Sequence, residues 1–197
     1  MINAKEAKRM FVSIMKGSPR VKDRDSIMKH CEYISVLVKD TVKSIKAVIP
    51  EFIIDEEEME IACLLHDIGY CFAEKAILHP VVGGEFLKEK NLETISTIIR
   101  GHTYAADALR VTGYKGLIPE DYEPKIWQHI LLDYASLHCG NPGEEISPDE
   151  KFKRFRAKRG EEFQKVIDLA EPRLRQEVED VESLLGGNLE IMSKYIL

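Results

Sequence analysis

The residues best suited to chemistry in this chain are imidazoles and carboxylates standing where apolar side chains belong. Over residues 23–48 the stripe Ile27, His30, Ile34, Leu37 keeps the three-to-four spacing of one helix face, and one of its members is a histidine. Met59, Ala62, Cys63 and His66 share a second face, with Asp67 next in the chain. Ile95, Ile98, Ile99 and His102 make a third, and Ile126, Ile130, Asp133 and Leu137 a fourth. One buried histidine is ordinarily satisfied by a hydrogen bond. An unpaired buried polar group costs about 1–3 kcal/mol, and a lone carboxylate costs more. Four coincident cases ask for a common compensator. A divalent cation is one, because it neutralises carboxylates and accepts imidazole lone pairs, and bundle interiors build such sites from facing helices.

The sharpest element is His66-Asp67 in the context Leu64-Leu65-His66-Asp67-Ile68-Gly69. Neighbours on a helix diverge by about 100°, so the two side chains can splay around one ion, or the carboxylate can bridge two. Gly69 then lets the chain turn without a side chain obstructing the site. His129, one turn before Asp133, and His138 just beyond it read as surface residues. Cys31, Cys63 and Cys139 read as small core filler beside the histidines. Met59, Phe152, Phe155 and Phe163 read as packing, and Trp127 as a core or rim residue.

The elements that must position these groups are helical throughout. The apolar periodicity predicts helices over 4–16, 23–48, 55–69, 80–90, 92–101, 123–138 and 160–185, with His79 at the cap of the fourth. Pro50 stops the second helix, Asp55 to Glu58 open the third, and Gly186-Gly187 end the last, which Pro172 is expected to kink or break. Ser147-Pro148-Asp149-Glu150 opens a further helix, and 103–122 reads as loop-rich. The fold class is all-α, and 1–197 is expected to form one domain.

With 197 residues, 44% hydrophobic and 31% charged, the chain is long and apolar enough to bury a core, which excludes a disordered or collagen-like protein. It has no apolar run of about 18 residues, so no membrane span is expected. Its N-terminal residues are too charged for a signal peptide, and its four cysteines form no C-x-x-C pair, so reduced thiols and a cytoplasmic location are expected. The net charge of −6 argues against nucleic acid as a partner. Residues 151–159 nonetheless carry six Lys or Arg and no acid. They form either a solvated helix face or a collar for an anionic substrate or RNA. In the second case charge reversal at Arg154 and Arg156 would raise KM.

His30, His66-Asp67 and Asp133 in that order resemble the H…HD…D pattern of the HD-domain superfamily of metal-dependent phosphohydrolases, including its HDIG form. The resemblance covers about 20–140 and leaves helices over about 147–197 as an extension. It implies an HD-like helical bundle. His79 and His102 are similar to the extra histidines of the binuclear subgroups. The resemblance therefore implies one ion on His30, His66, Asp67 and Asp133, with Asp67 bridging to a second on His79 and His102. That mixed nitrogen and oxygen set suits Fe, Mn, Co, Ni or Zn. Tyr70 stands where several relatives carry Lys, and the GYP tripeptide of the cyclic-dinucleotide phosphodiesterases is absent.

The implied activity is hydrolysis of a phosphorylated small molecule, a nucleotide or related phosphoester, by a metal-activated hydroxide with catalytic residues His66 and Asp67. Arg20, Arg24 and Lys75 flank the site in sequence and are candidates for the cation that steadies the developing charge. The same six ligands also permit a di-iron oxygenase, and a non-catalytic nucleotide-binding module is a third reading. Specificity would reside in 70–79, 103–122 and 139–148. The sequence leaves the oligomeric state open, a homodimer included.

Overall fold

A computed structural model describes residues 2–158 and 160–196, and it is predominantly helical. The order is α1 (Ala4–Gly17), α2 (Arg24–Val48), α3 (Glu56–Leu65), a 3-10 turn (Ile68–Cys71), α4 (His79–Glu89), α5 (Glu93–Arg100), α6 (Ala105–Thr112), α7 (Trp127–Leu137), α8 (Pro148–Lys158), α9 (Glu161–Leu185) and a closing 3-10 segment (Leu189–Lys194). Local chemistry sets the starts. Asn3 and Glu6 form a reciprocal capping box on α1, and the carboxylates of Asp23 and Asp55 accept the Ser26 and Glu58 backbone N–H groups at the heads of α2 and α3. Between α7 and α8 a two-residue ladder, β1 (Cys139–Gly140) with β2 (Glu144–Glu145), pairs antiparallel; the all-α expectation holds apart from it.

Five features differ from the sequence expectation, one being that the helix expected over 123–138 begins only at Trp127, after an extended Ile126. The third helix ends at Leu65, and His66 and Asp67 occupy the bend before the 3-10 turn. His79 is the first residue of α4 rather than its cap. Within the expected loop 103–122, α6 forms because Ala105, Ala106, Ala108 and Leu109 bury one apolar face, with Gly113 in the left-handed conformation ending it. Pro172 interrupts nothing. α9 runs through it, since buried Ala170 and Leu174 pack on either side. Arg159 of the basic run lies outside the described residues.

Two apolar clusters make the core. One joins α1, α2, α3, α5 and most of α7, with Phe11, Ile34, Ile61, Ile99 and Trp127 among its members. The other joins the head of α4 to α6, α8 and α9, through Val81, Leu109, Phe152 and Val166. The chain passes between the two repeatedly, for example from Cys71 to Ile77, from Val81 to Leu87 along α4, from Ile99 to Tyr104 and from Ala135 to Leu137. His66, Asp67 and Asp133 stand among residues of the first cluster, His79 among residues of the second, and His102 at one of the passages, so the polar group draws on both.

Candidate metal centre

His66 and His79 are each held by the backbone of their own turn. At the end of α3 the His66 Nδ1–H donates to the Cys63 carbonyl at 2.7 Å, and at the head of α4 the His79 Nδ1–H donates to the Ala76 carbonyl at 2.9 Å. A carbonyl can only accept, so these rings carry their proton on Nδ1. Their Nε2 atoms face the same carboxylate oxygen, Asp67 Oδ1, at 3.4 Å from His66 and 3.2 Å from His79. His30 of α2 approaches the other oxygen, with Nε2 3.9 Å from Asp67 Oδ2, while its Nδ1 lies 3.3 Å from the Gly140 carbonyl. Backbone anchoring of the distal nitrogen is how protein metal sites fix the tautomer and aim of a histidine ligand.

The electrostatics leave a charge missing. Burial pushes the imidazoles of His30 and His66 down to about 3 and about 4, and that of His102 well below its ordinary value. Burial would raise the Asp67 carboxyl, but the surrounding His66, His79 and His30 hold it well below the usual range. A neutral His66 therefore aims a lone pair at a carboxylate, and its Nε2 is buried with no hydrogen-bond partner. Two acceptors at that distance repel unless a cation lies between them. The ligand atoms of His30, His66 and Asp67 all lie within 4.8 Å of one another, close enough to share one ion. The residues present fit a bound metal.

His102 and Asp133 join the group from behind. The His102 ring lies edge-on to His66, with centroids 5.0 Å apart, and its Nδ1 is 2.8 Å from Asp133 Oδ1, which also accepts the Thr103 N–H. Asp133 Oδ2 is buried without a hydrogen-bond partner, 3.8 Å from the Arg173 guanidinium. Arg173 also donates to the Thr103 carbonyl, to Asp107 Oδ2 at 3.2 Å and to Glu177 Oε1 at 2.6 Å. Thr103 is thereby held at both ends in the left-handed region (φ 47°), a strained state for a β-branched residue. Burial raises the carboxyls of both Asp133 and Glu177.

The centre opens into a cavity of about 620 Å³, lined by His30, Asp67, His79 and His102 and by residues of four further segments. Arg20, Lys22 and Asp23, from the α1–α2 junction, form one side. That junction is pinned by Ser18 Oγ on the Cys71 carbonyl at 2.9 Å and by Arg20 on the Ala73 carbonyl at 3.3 Å. Tyr70 stacks on His79 with centroids 4.0 Å apart and so fixes one face of that imidazole. Asn141 from the 139–148 segment and Lys151 and Phe155 from α8 complete the wall. Of the expected specificity loop 103–122, Thr103 and Tyr104 reach it.

Several candidate residues sit elsewhere. Arg24 is exposed and donates to the Lys16 carbonyl, and Lys75 pairs with Glu162 at 2.7 Å; neither lines the cavity. Nearness in sequence placed them beside the site, but each side chain turns to a partner on another helix. In the basic run, Arg154 pairs with Glu144 and Glu150, and Arg156 with Asp168 and Glu171, so neither forms a collar. His129 is buried rather than superficial. Its Nδ1 accepts the Lys125 N–H at 3.1 Å, its Nε2–H donates to the Thr97 carbonyl at 2.9 Å, and Gly101 packs against the ring. Arg173 and Glu177 carry no mark in the sequence, and Lys151 stands out only as one of the basic run 151–159, because α8 and α9 meet the centre only through tertiary packing. Their polar residues at otherwise buried positions were the available signal.

The fold and site together define an all-α helical bundle in which buried histidines and an aspartate, gathered beside one polar cavity, could hold a metal ion. The chain is a member of the HD domain family, whose sequence model matches residues 28–180. No curated protein and no solved structure gives a significant match. The family match runs through α8 and most of α9, well past residue 140, where the motif resemblance stops. Among the described residues no helix is long and apolar enough to cross a membrane.

Proposed function

We propose that this protein is a metal-dependent phosphohydrolase of a nucleotide or related phosphoester, with His30, His66, Asp67, His79, His102 and Asp133 holding one or two divalent ions of the Fe, Mn, Co, Ni or Zn type. The observation that carries the reading is the bare, buried His66 Nε2 aimed at Asp67 behind a polar cavity. When bound, such ions supply Lewis-acid stabilisation of phosphoryl charge and lower the pKa of the reacting water. The protein's part is placement. His66 and His79 keep their lone pairs on the centre because each Nδ1–H is committed to a carbonyl of its own turn. Asp67 offers Oδ1 to His66 and His79 and Oδ2 toward His30, which suits a carboxylate shared between neighbouring cations. Asp133 keeps the His102 ring turned so that Nε2 remains for the same centre. Of the flanking cations expected from the sequence only Arg20 lines the cavity, and with Lys22 it gives the mouth a positive charge that draws an anionic substrate in.

Anaerobic purification with elemental analysis tests the centre. Wild type should carry one or two transition-metal ions per chain and Asp67→Ala none, with helix content kept. Stoichiometric metal in Asp67→Ala would sink the assignment. A phosphoester panel with Mn²⁺, Fe²⁺ or Co²⁺ then tests the reaction. Oxygen uptake without phosphate release would point to a di-iron oxygenase. Metal-dependent stability without any turnover would point to a regulatory module.

A further inference from the structure

We propose that Lys151 is the substrate-binding cation of this centre, its ammonium taking a non-bridging oxygen of the phosphoryl group held at the histidine–aspartate cluster. The inference rests on the phosphohydrolase reading and adds to it the residue that recognises the reacting anion. Lys151 belongs to the basic run, but its placement is unlike that of its neighbours. Lys153 has a side chain 79% exposed, and Arg154 and Arg156 turn outward into ion pairs. Lys151 is 9% exposed and lines the same cavity as His30, Asp67, His79 and His102.

Two contacts fix it there. The ammonium donates to the Cys139 carbonyl at 2.6 Å and lies 5.3 Å from the centre of the Phe155 ring, against whose face a cation is attracted. The Cys139–Gly140 strand that supplies this carbonyl also meets His30, so Lys151 and His30 share one backbone support. An ammonium and divalent ions around one cavity repel each other at short range. An anion between them turns that repulsion into a clamp, and a phosphoryl group has oxygens enough to meet both sides at once. A fixed, largely desolvated cation of this kind adds electrostatic stabilisation without reorganising during reaction.

Inorganic phosphate titrated into Mn²⁺-loaded protein by calorimetry provides the test, with metal content and melting temperature measured on each variant. Lys151→Gln keeps a donor for the Cys139 carbonyl and removes the charge; its phosphate Kd should rise at least tenfold while its metal content stays at the wild-type level. Lys151→Met should behave alike, and Lys151→Arg, which keeps the charge, should recover part of the affinity. On a phosphoester that wild type hydrolyses, the Gln variant should lose kcat/KM by a similar factor. Phosphate binding unchanged in the Gln and Met variants, or absent in wild type, would overturn the proposal. If wild type hydrolyses phosphoesters and the Gln variant does so equally well, this inference falls while the hydrolase reading stands. If phosphate binds through Lys151 but no phosphoester is cleaved, the hydrolase reading falls and the anion site remains.

Discussion

At the scale of single residues, the centre depends on where protons are. His66 and His79 spend Nδ1 on carbonyls, and the lone pairs that remain meet Asp67. Asp133 does for His102 what those carbonyls do for the others, with a carboxylate as the acceptor. Asp133→Asn keeps the shape but replaces the charge, so it should weaken metal binding by about 10–100-fold, the usual cost of losing a group that orients a ligand. Competition with a chelating dye measures this directly, and an affinity equal to wild type would show that Asp133 contributes nothing to the ion. These residues were readable in the sequence for a definite reason: each is a polar intruder on an apolar stripe. His79 was not readable in that way. It starts a helix beside Pro80, where no periodicity marks a buried face, and only the family pattern pointed to it.

At the scale of elements, close approach matters more than loop freedom. Gly69 was expected to keep the site clear of a side chain, but the structure gives it another task. A Cβ there would lie 1.9 Å from the His79 carbonyl oxygen and 2.7 Å from the Gly83 nitrogen, so glycine is what lets the 3-10 turn rest on the backbone of α4. Gly69→Ala should therefore cost about 1–3 kcal/mol, the range of overpacking in a well-filled core, and should also lower metal affinity by shifting His79. Urea unfolding of metal-free and metal-loaded protein separates the two effects. On α9, Arg173 sits among Glu177, Asp107 and the Thr103 carbonyl. Arg173→Ala would leave Glu177 buried beside Asp133 with no compensating charge, at a cost of about 3–5 kcal/mol. A melting temperature within a degree of wild type would contradict that account. α9 could be placed by its period but not by its partners, since nothing local in residues 161–185 encodes contact with Thr103 or Asp133.

For the molecule as a whole, neutral buried histidines make stability depend on pH. Burial lowers His30 to about 3, and His66 and His129 to about 4, against about 6.5 in an unfolded chain. Between those values the unfolded state binds more protons, so stability rises with pH and is lost as pH falls from about 6.5 toward 4. His129 alone accounts for on the order of 3 kcal/mol of that loss. His129→Gln, which removes its titration, should flatten the acid limb of a plot of melting temperature against pH for the metal-free protein. An identical slope would refute the assignment. Bound metal opposes the same protons: an ion at a hundred times its Kd adds about 2.7 kcal/mol, removable by a chelator. The bundle class and its principal helices followed from periodicity, whereas the cavity wall did not. It draws on the α1–α2 junction, Asn141 and α8, segments separated by more than a hundred residues, and only the packed fold brings them together.

The chain's last residues have a reach that their position conceals. Ile196 pairs with Ile126 in an isolated bridge, exchanging backbone hydrogen bonds with Lys125 and Trp127, while the Trp127 indole N–H donates to the Met192 carbonyl and Tyr195 lies edge-on to the indole. This closing segment thus bolts down the first turn of the helix that carries Asp133, six residues further along. Cutting the chain after Asn188 would bare the buried indole and loosen that turn, so damage at one extremity would be felt as slack in the grip on the ion.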